Sequence, residues 1–197
     1  MNLDFFKTIY FFNIGNNHND ENYFHWSTNI YHKSSFFLLK LIKNTPKSEL
    51  FYCISNPDIK IVYYSADNII FSIGAKTEVQ SILLEAALEY LRDEFLDMYD
   101  ESLLTTCYGD SCEIFSGFTS VVEDLFRNFT EKDLVEAALV QCKGCGKTQK
   151  VIIKKSLILN SKQTNTPIVY VHSGHALLIY IDKQFKVRGS QLVSVSY

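Results

Sequence analysis

The chain has 197 residues, of which 47% are hydrophobic and 14% aromatic, with only 8 Gly and 3 Pro. This composition supplies a hydrophobic core and excludes a disordered chain or a fibrous repeat. The formal net charge of -3 conceals an asymmetry, because residues 1–131 carry 9 Lys+Arg and 19 Asp+Glu whereas residues 132–197 carry 10 and 3. A basic tail that offsets an acidic body would give the same sum, but the division favours two modules with different surfaces.

The amino terminus and the apolar runs bear on location. Met1–Asp4 lacks the basic region of a secretory signal, which predicts a cytoplasmic protein. No apolar run reaches the roughly 18–20 residues that span a bilayer, since even Ile168–Ile181 is interrupted by HSGH. In a reducing compartment the five cysteines are expected to be buried thiols or metal ligands and not disulfides.

The first third of the chain predicts strands and one short helix. Phe5–Ile14 is aromatic and β-branched and ends at turn-forming residues, which is typical of a strand, and Tyr23–Trp26 predicts a second one. Ser34–Lys43 is densely apolar and is bounded by a capping serine and a proline, which indicates a short buried helix. Three further strands of an antiparallel meander are expected at Leu50–Ile54, Ile59–Ser65 and Asn68–Ile73.

The middle of the chain predicts two helices. Thr77 to Gln80 matches a capping box, and apolar residues then recur at helical spacing as far as residue 98. After a polar loop, Ile114–Phe129 repeats its apolar residues at the same spacing. The acidic residues of these segments, which include Asp93 and Asp97, are typical of the solvated face of a helix.

From Leu134 the pattern changes to short β-rich runs. They are expected at Val135–Gln141, Lys150–Leu159, Ile168–Val171, Ala176–Ile181 and Leu192–Val195. The sequence therefore predicts an α+β protein with two domains, residues 1–131 and residues 132–197.

The β-rich runs are separated by two short motifs of similar form. Cys142 and Cys145 are two residues apart around a glycine, and 26 residues later His172 and His175 repeat this spacing, also with a glycine between them. Cys-x-x-Cys on a tight turn presents two thiolates to one ion, and two imidazoles complete the four donors that zinc prefers. We therefore predict one structural zinc ion per chain, with no open coordination position for hydrolysis.

Other interpretations of these cysteines stay open at this point. Cys142 and Cys145 can form a redox dithiol, although such a pair usually opens a helix and here the flanks are strand-like. An ordinary surface turn is the plainest alternative. Cys107 and Cys112 can replace the histidines in an all-cysteine site, and Cys53, within a strand-like run, is most simply a core thiol.

No motif predicts catalysis. Gly144 to Thr148 resembles the end of a phosphate-binding loop, but position 141, where the first glycine is required, is Gln. His18, His25 and His32 recur every seven residues across a loop, a strand and a turn, which is not the arrangement of a metal site. We expect the protein not to be an enzyme.

Two longer stretches carry a family resemblance. IIFSIGAKTEVQSILLEAALEYLRDEFLDMY resembles the last strand and following long helix of longin and roadblock-like, profilin-type domains, and IFSGFTSVVEDLF resembles the final helix. The resemblance covers about two thirds of the chain and implies a five-stranded antiparallel sheet with helices. Phe36–Ile42 is short for the first longin helix, and the loop at 16–22 is longer than usual.

The resemblance also implies a role. Longin-like domains generally serve as platforms for small GTPases, for coat or tethering subunits, or for assembly at membrane receptors. The expected partner is thus a protein, such as a small GTPase or another longin- or roadblock-type chain, and peripheral association with a membrane fits the same class. The tail, with LLIYIDKQFKVRG, resembles a small zinc-ribbon module.

A second function remains open for the basic module. Its cations can bind the phosphates of a nucleic acid, although they are dispersed over several strands. The residues that would do so are Lys143, Lys147, Lys150, Lys154, Lys155 and Arg188.

Overall fold

The computed structural model describes residues 5–16, 22–28, 50–66, 69–106 and 113–194. The chain divides into two compact units, Met1–Lys132 and Asp133–Tyr197. The helix predicted at Ser34–Lys43 lies outside the described residues. Within the described ranges, no helix combines the length and the apolar character needed to cross a membrane.

The first unit contains the five-stranded sheet. Every neighbouring pair is antiparallel and the spatial order is β2-β1-β5-β4-β3, which confirms the predicted α+β class with a five-stranded antiparallel sheet. The strands are β1 (Ile9–Asn16), β2 (Asn22–Ser27), β3 (Phe51–Ser55), β4 (Lys60–Ala66) and β5 (Ile69–Ala75). The first strand starts later than predicted, because Phe5–Thr8 forms a 3-10 turn in which the Thr8 hydroxyl donates to the Phe5 carbonyl at 2.7 Å.

Three α-helices follow the sheet in the described chain of this unit. They are α1 (Ser81–Met98), α2 (Glu101–Thr106) and α3 (Phe118–Arg127), and a 3-10 turn, Glu113–Phe115, precedes α3. The predicted start of the long helix was wrong. Thr77 lies in a turn closed by the Val79 amide donating to the Lys76 carbonyl at 3.1 Å, and the helix begins only after Gln80. The turn at Lys76–Val79 connects β5 to α1, so the helix begins after it.

Aromatic side chains fill the core between the sheet and the helices. Phe118 of α3 lies within 5.2–6.3 Å, ring to ring, of Phe12, Phe24 and Phe95, and all four are buried. Because strand residues alternate between faces, the opposite face carries a second cluster. That cluster comprises Phe11, Ile59, Ile61, Tyr63 and Ile70.

The second unit contains two small sheets and one short helix. The elements are β6 (Val135–Gln141), β7 (Thr148–Lys154), α4 (Lys155–Leu159), β8 (Asn165–His172), β9 (His175–Asp182) and β10 (Val187–Val193). The strands β6 and β7 form one antiparallel hairpin, and the order β10-β9-β8 forms the other sheet. Their inward residues share an aliphatic core that includes Val140, Ile153 and Ile179.

One strand predicted here was wrong in its second half. Lys150–Leu159 was expected to be a single strand, but β7 ends at Lys154 and the helix α4 follows. The Lys183 ammonium donates to the carbonyls of Ile158 and Leu159 at 2.6 and 3.0 Å. A cation at the carboxy-terminal end of a helix stabilises the unpaired carbonyls there. Lys183 lies in a loop more than 20 residues away from α4, so no local sequence pattern predicted this contact.

Candidate metal centre

The first half of the site is the turn between β6 and β7. The ladder ends at the pair Gln141 and Thr148, and residues 142–147 form the turn. The Cys142 amide donates to the Lys147 carbonyl at 2.9 Å, and the Gly146 amide donates to the Cys142 carbonyl at 2.8 Å. Gly146 has a φ of 72°, a conformation in which glycine has no steric penalty. The turn therefore holds both cysteines at one end of the hairpin.

The second half is the tight turn between β8 and β9. His172 and His175 are paired across the ladder, so their side chains lie on the same face of the sheet. The two residues between them, Ser173 and Gly174, have φ values of 46° and 77°. Positive φ at both central positions is the mark of the two-residue turn that matches the twist of an antiparallel hairpin.

The two turns meet at Gly144. A β-carbon added to this glycine would lie 2.5 Å from Nδ1 and 2.7 Å from Cε1 of His175, far inside ordinary contact distance. Only a residue without a side chain allows the imidazole so close to the backbone. The glycine between the cysteines thus has a packing role toward the histidine as well as a role in the turn.

Four donor atoms converge as a result. One ligand atom from each of Cys142, Cys145, His172 and His175 lies within 4.8 Å of all the others. Sγ of Cys142 is 3.3 Å from Nδ1 of His175, and the two imidazole centroids are 5.6 Å apart. Cys142 is fully buried, the histidines are half-buried and Cys145 is exposed. The structure therefore brings together all four residues that the sequence singled out, in an arrangement that can hold a metal ion.

One nitrogen of the cluster lacks a partner. Nε2 of His172 is buried and has no hydrogen bond to the described part of the protein. A buried polar atom without a partner destabilises a fold by about 1–3 kcal/mol, so native structures seldom keep one. The ring of Tyr170 stacks on this imidazole at 5.8 Å and limits its rotation. Nε2 of His172 is therefore available as a ligand for a metal ion.

The thiol of Cys142 is ready to ionise. Burial is the largest single influence on its pKa and raises it, but hydrogen bonds from His175 and from the Cys145 backbone act in the opposite direction. With smaller contributions from His172 and the Gly144 backbone, the balance lowers the pKa from 9.0 to about 6. Thiolate is the form that binds metal ions, so the surroundings of Cys142 favour the metal-binding state at neutral pH.

Other residues singled out by the sequence do not join the site. Cys53 is exposed, with Sγ 3.3 Å from the Ser81 hydroxyl, so the prediction of a core thiol was wrong. It lies on β3, which is an edge strand of the sheet in the described part of the chain. His25 lies on β2, where Nδ1 is 3.3 Å from the Asn13 side-chain oxygen and burial lowers its pKa. His18, His32, Cys107 and Cys112 lie outside the described residues.

The basic residues proposed for nucleic acid fall into two groups. Lys154 is buried, Lys155 is paired with Asp133 at 2.6 Å, and Arg188 is paired with Asp182. Burial or an ion pair within the unit makes these three cations less available to bind phosphate. The others, Lys143, Lys147 and Lys150, are exposed on the β6–β7 hairpin and have no ion pair with the described chain.

Sequence reasoning missed a polar cluster in the β9–β10 loop. The buried carboxylate of Asp182 accepts the amides of Gln184 and Lys186, both at 2.9 Å, and the Arg188 guanidinium. Burial alone would raise the Asp182 pKa, but these donors lower it. An aspartate at the start of a hairpin loop is a known turn former and was a usable signal. The role of Lys183 had no such signal, because its carbonyl partners are distant in sequence.

Neither the scan against protein-family models nor the comparison with curated proteins found a match to this chain.

Proposed function

We propose that this protein is a non-enzymatic adaptor or regulatory protein whose carboxy-terminal unit is held together by one structural zinc ion. The observation that carries the zinc assignment is the convergence of four donor atoms from two hairpin turns, all within 4.8 Å of one another. Two thiolates and two imidazoles are a donor set that zinc favours. Zinc lies roughly 2.0–2.3 Å from each donor atom, so two donors of a tetrahedral site are about 3.3–3.8 Å apart. Small rotations of the four side chains would bring their donor atoms to these distances.

The same donor count argues against catalysis at this centre. Catalytic zinc sites keep one coordination position for water or substrate, whereas four protein ligands complete the tetrahedron. The chemistry supplied by the ion would be cross-linking of the β6–β7 turn to the β8–β9 turn.

The partner-binding role is assigned to the first unit. Its five-stranded antiparallel sheet, followed by a long helix and a shorter one, is compatible with a longin-like domain. We propose that it acts as a platform for a protein partner such as a small GTPase or another longin- or roadblock-type chain, in a trafficking-like complex. Both edges of this sheet, β2 and β3, lack a further neighbouring strand in the described chain, and each can receive a partner.

Nucleic-acid binding is the second candidate, on one specific observation. Lys143, Lys147 and Lys150 are exposed together on the β6–β7 hairpin and free of ion pairs within the described ranges. Phosphate contacts by three lysines would make binding strongly dependent on salt. Lys154 is buried, and Lys155 and Arg188 form ion pairs within the unit. Nucleic-acid binding is therefore a weaker candidate than binding of a protein partner.

Elemental analysis of the purified untagged chain tests the zinc proposal. We expect one zinc per chain in the parent and in Cys53→Ser, which changes an exposed thiol outside the cluster, and loss of zinc in Cys145→Ser and His172→Ala. A parent without zinc, or variants that keep it, would remove the assignment.

Two binding measurements separate the candidate functions. Capture of a small GTPase by the full chain that persists after zinc is chelated would support the platform in the first unit. Retention of a 20-nucleotide single-stranded RNA at low salt, lost when Lys143, Lys147 and Lys150 are all changed to Gln, would favour the second candidate.

A further inference from the structure

The strand β8 is an edge strand with little protection. It stands at one end of the sheet order β10-β9-β8 and, in the described chain, has a neighbouring strand on one side only. Its sequence, NTPIVYVH, contains no Asp, Glu, Lys or Arg along its whole length. Edge strands in soluble proteins usually carry lysines, bulges or several prolines that prevent pairing with another chain. Here Pro167 is the single feature of that kind.

The register shows which backbone groups point away from the sheet. His172 and His175 flank a two-residue turn and form a hydrogen-bonded pair, and the pairs then alternate along the ladder. Val171 opposite Ala176 and Val169 opposite Leu178 fall in the non-hydrogen-bonded positions. The amides and carbonyls of both valines are therefore directed toward the open edge, away from the ladder with β9.

The side chains of these valines form an apolar strip. Val169 is 55% exposed and Val171 is 52% exposed, and Pro167 lies on the same face of the strand. On the neighbouring strand Leu178 and Tyr180, half-buried, extend the strip across the sheet. Exposed apolar side chains beside unpaired backbone donors are the two features by which a sheet edge binds an extended peptide.

The charge of the unit indicates the character of that peptide. Its three carboxylates are all engaged inside the unit, because Asp133 and Glu136 both contact Lys155 and Asp182 contacts Arg188. No acidic side chain is left to balance the exposed cations. These are Lys143, Lys147, Lys150, Lys162 and Lys186. Residues 133–197 hold 9 Lys+Arg and 3 Asp+Glu, and this net positive charge of the unit attracts an acidic chain and disfavours a second copy of the same unit.

We propose that β8 binds an extended acidic peptide segment of a partner protein by strand addition. The amides and carbonyls of Val169 and Val171 bind the backbone of the segment, and alternate apolar residues of the segment pack on the two valines. Its intervening Asp or Glu side chains lie in the positive field of the unit. This inference concerns the second unit alone and does not depend on whether the first unit binds a GTPase.

Fluorescence anisotropy with the full-length, zinc-loaded chain tests the proposal. The probe is a labelled ten-residue peptide of alternating valine and glutamate, compared with the same peptide carrying lysine in place of glutamate. We expect the glutamate probe to bind, with an affinity that falls as salt is raised, and the lysine probe to bind at least tenfold more weakly.

Two variants identify the edge. Val169→Pro removes one outward amide at a position equivalent to that of Pro167, which the strand already accommodates, and should weaken binding by tenfold or more. Val169→Thr keeps the backbone and the shape and should weaken it a few-fold. Leu139→Thr is the matched control, because Leu139 is 70% exposed on the β6–β7 hairpin, and it should leave the affinity unchanged.

The zinc content of each sample is measured in parallel, so that loss of folding is not mistaken for loss of the binding edge. Absence of binding by a zinc-loaded parent would overturn the proposal, and so would equal binding by Val169→Pro. Concentration-dependent dimerisation abolished by Val169→Pro would assign the edge to a second copy. Competition by single-stranded RNA that depends on the exposed lysines and not on Val169 would assign the surface to nucleic acid.

Discussion

The two units have cores of different chemistry. In the first, seven of the largest fully buried side chains are phenylalanines, including Phe12, Phe71, Phe95 and Phe118. In the second, the hydrophobic core consists of Ala, Val, Ile and Leu together with Cys142, while Tyr170 and Phe185 are only partly buried. Phenylalanine removes far more apolar surface from water than alanine or valine, so the first core is the stronger.

The smaller core of the second unit gives a physical reason for a metal site in that unit. A unit of about 65 residues buries a smaller fraction of its surface than a larger domain does, so its stability is marginal without a further cross-link. A metal ion that joins its two hairpin turns would supply the stability that the core does not. The first unit has a larger aromatic core, and we expect it to fold without a metal ion.

Zinc removal should unfold the second unit and leave the first intact. Structural zinc contributes roughly 10–16 kcal/mol of apparent binding free energy in small domains, more than the stability of most units of this size. Chelation at neutral pH, or Cys145→Ser, should abolish amide hydrogen-exchange protection across residues 135–193. Protection of α1 and β5 should persist, and Cys53→Ser should change neither unit. Unchanged protection of β6–β10 after chelation would show that both cores are self-sufficient.

Phe118→Ala should lower the free energy of unfolding of the first unit by about 3–5 kcal/mol, because its ring fills the centre of an aromatic cluster. Denaturant unfolding can be followed by the fluorescence of Trp26, the single tryptophan, whose ring is 5.0 Å from that of Phe126. Leu96→Ala, at an exposed helix position, should cost less than about 0.5 kcal/mol. The unfolding transition followed by Trp26 fluorescence should not change when zinc is chelated. A shift of its midpoint on chelation would contradict the proposed difference between the two units.

Gly144→Ala should weaken zinc binding by about tenfold or more, since the new methyl group would displace the His175 ring from the cluster. Competition with a chromophoric chelator measures the affinity. Gly189→Ala is the control within the same unit, where the nearest atom to the added carbon is Cδ2 of Tyr180 at 3.8 Å, an ordinary contact. Equal affinities for both variants and the parent would mean that the imidazole does not bind the ion.

Ser173→Asn should stabilise the second unit slightly, by about 0.5 kcal/mol, because asparagine tolerates the left-handed conformation better than serine. Thermal unfolding of the zinc-loaded chain would reveal this as a small rise in Tm. The same change at Ser194, exposed beyond the last strand, should have no effect. A loss of stability at position 173 would mean that the turn is not limited by its backbone conformation.

Local patterns accounted for part of this architecture. Alternating and aromatic runs predicted the strands β1 to β5, and the apolar spacing of α1 predicted the long helix, because both signals arise within a few residues of chain. The matched spacing of the cysteine pair and the histidine pair likewise singled out four residues that the fold brings together. The start of α1 was predicted at Thr77 and lies after Gln80, since the exit from the sheet, and not the capping pattern, sets where the helix can begin.

The periodic elements, the charge asymmetry and the candidate ligands could all be identified from the amino-acid sequence. The replacement of a strand end by α4, the space that Gly144 leaves for His175 and the exposed valines of β8 became visible only in the folded chain. The two sets of features depend on interactions of different range. Hydrophobic periodicity and turn conformations depend on residues that are close together in the sequence. The contact of Lys183 with Ile158 and that of His175 with Cys142 join residues more than 20 positions apart. The open edge of β8 depends on the order of the strands in the sheet, so short sequence spacings do not reveal it.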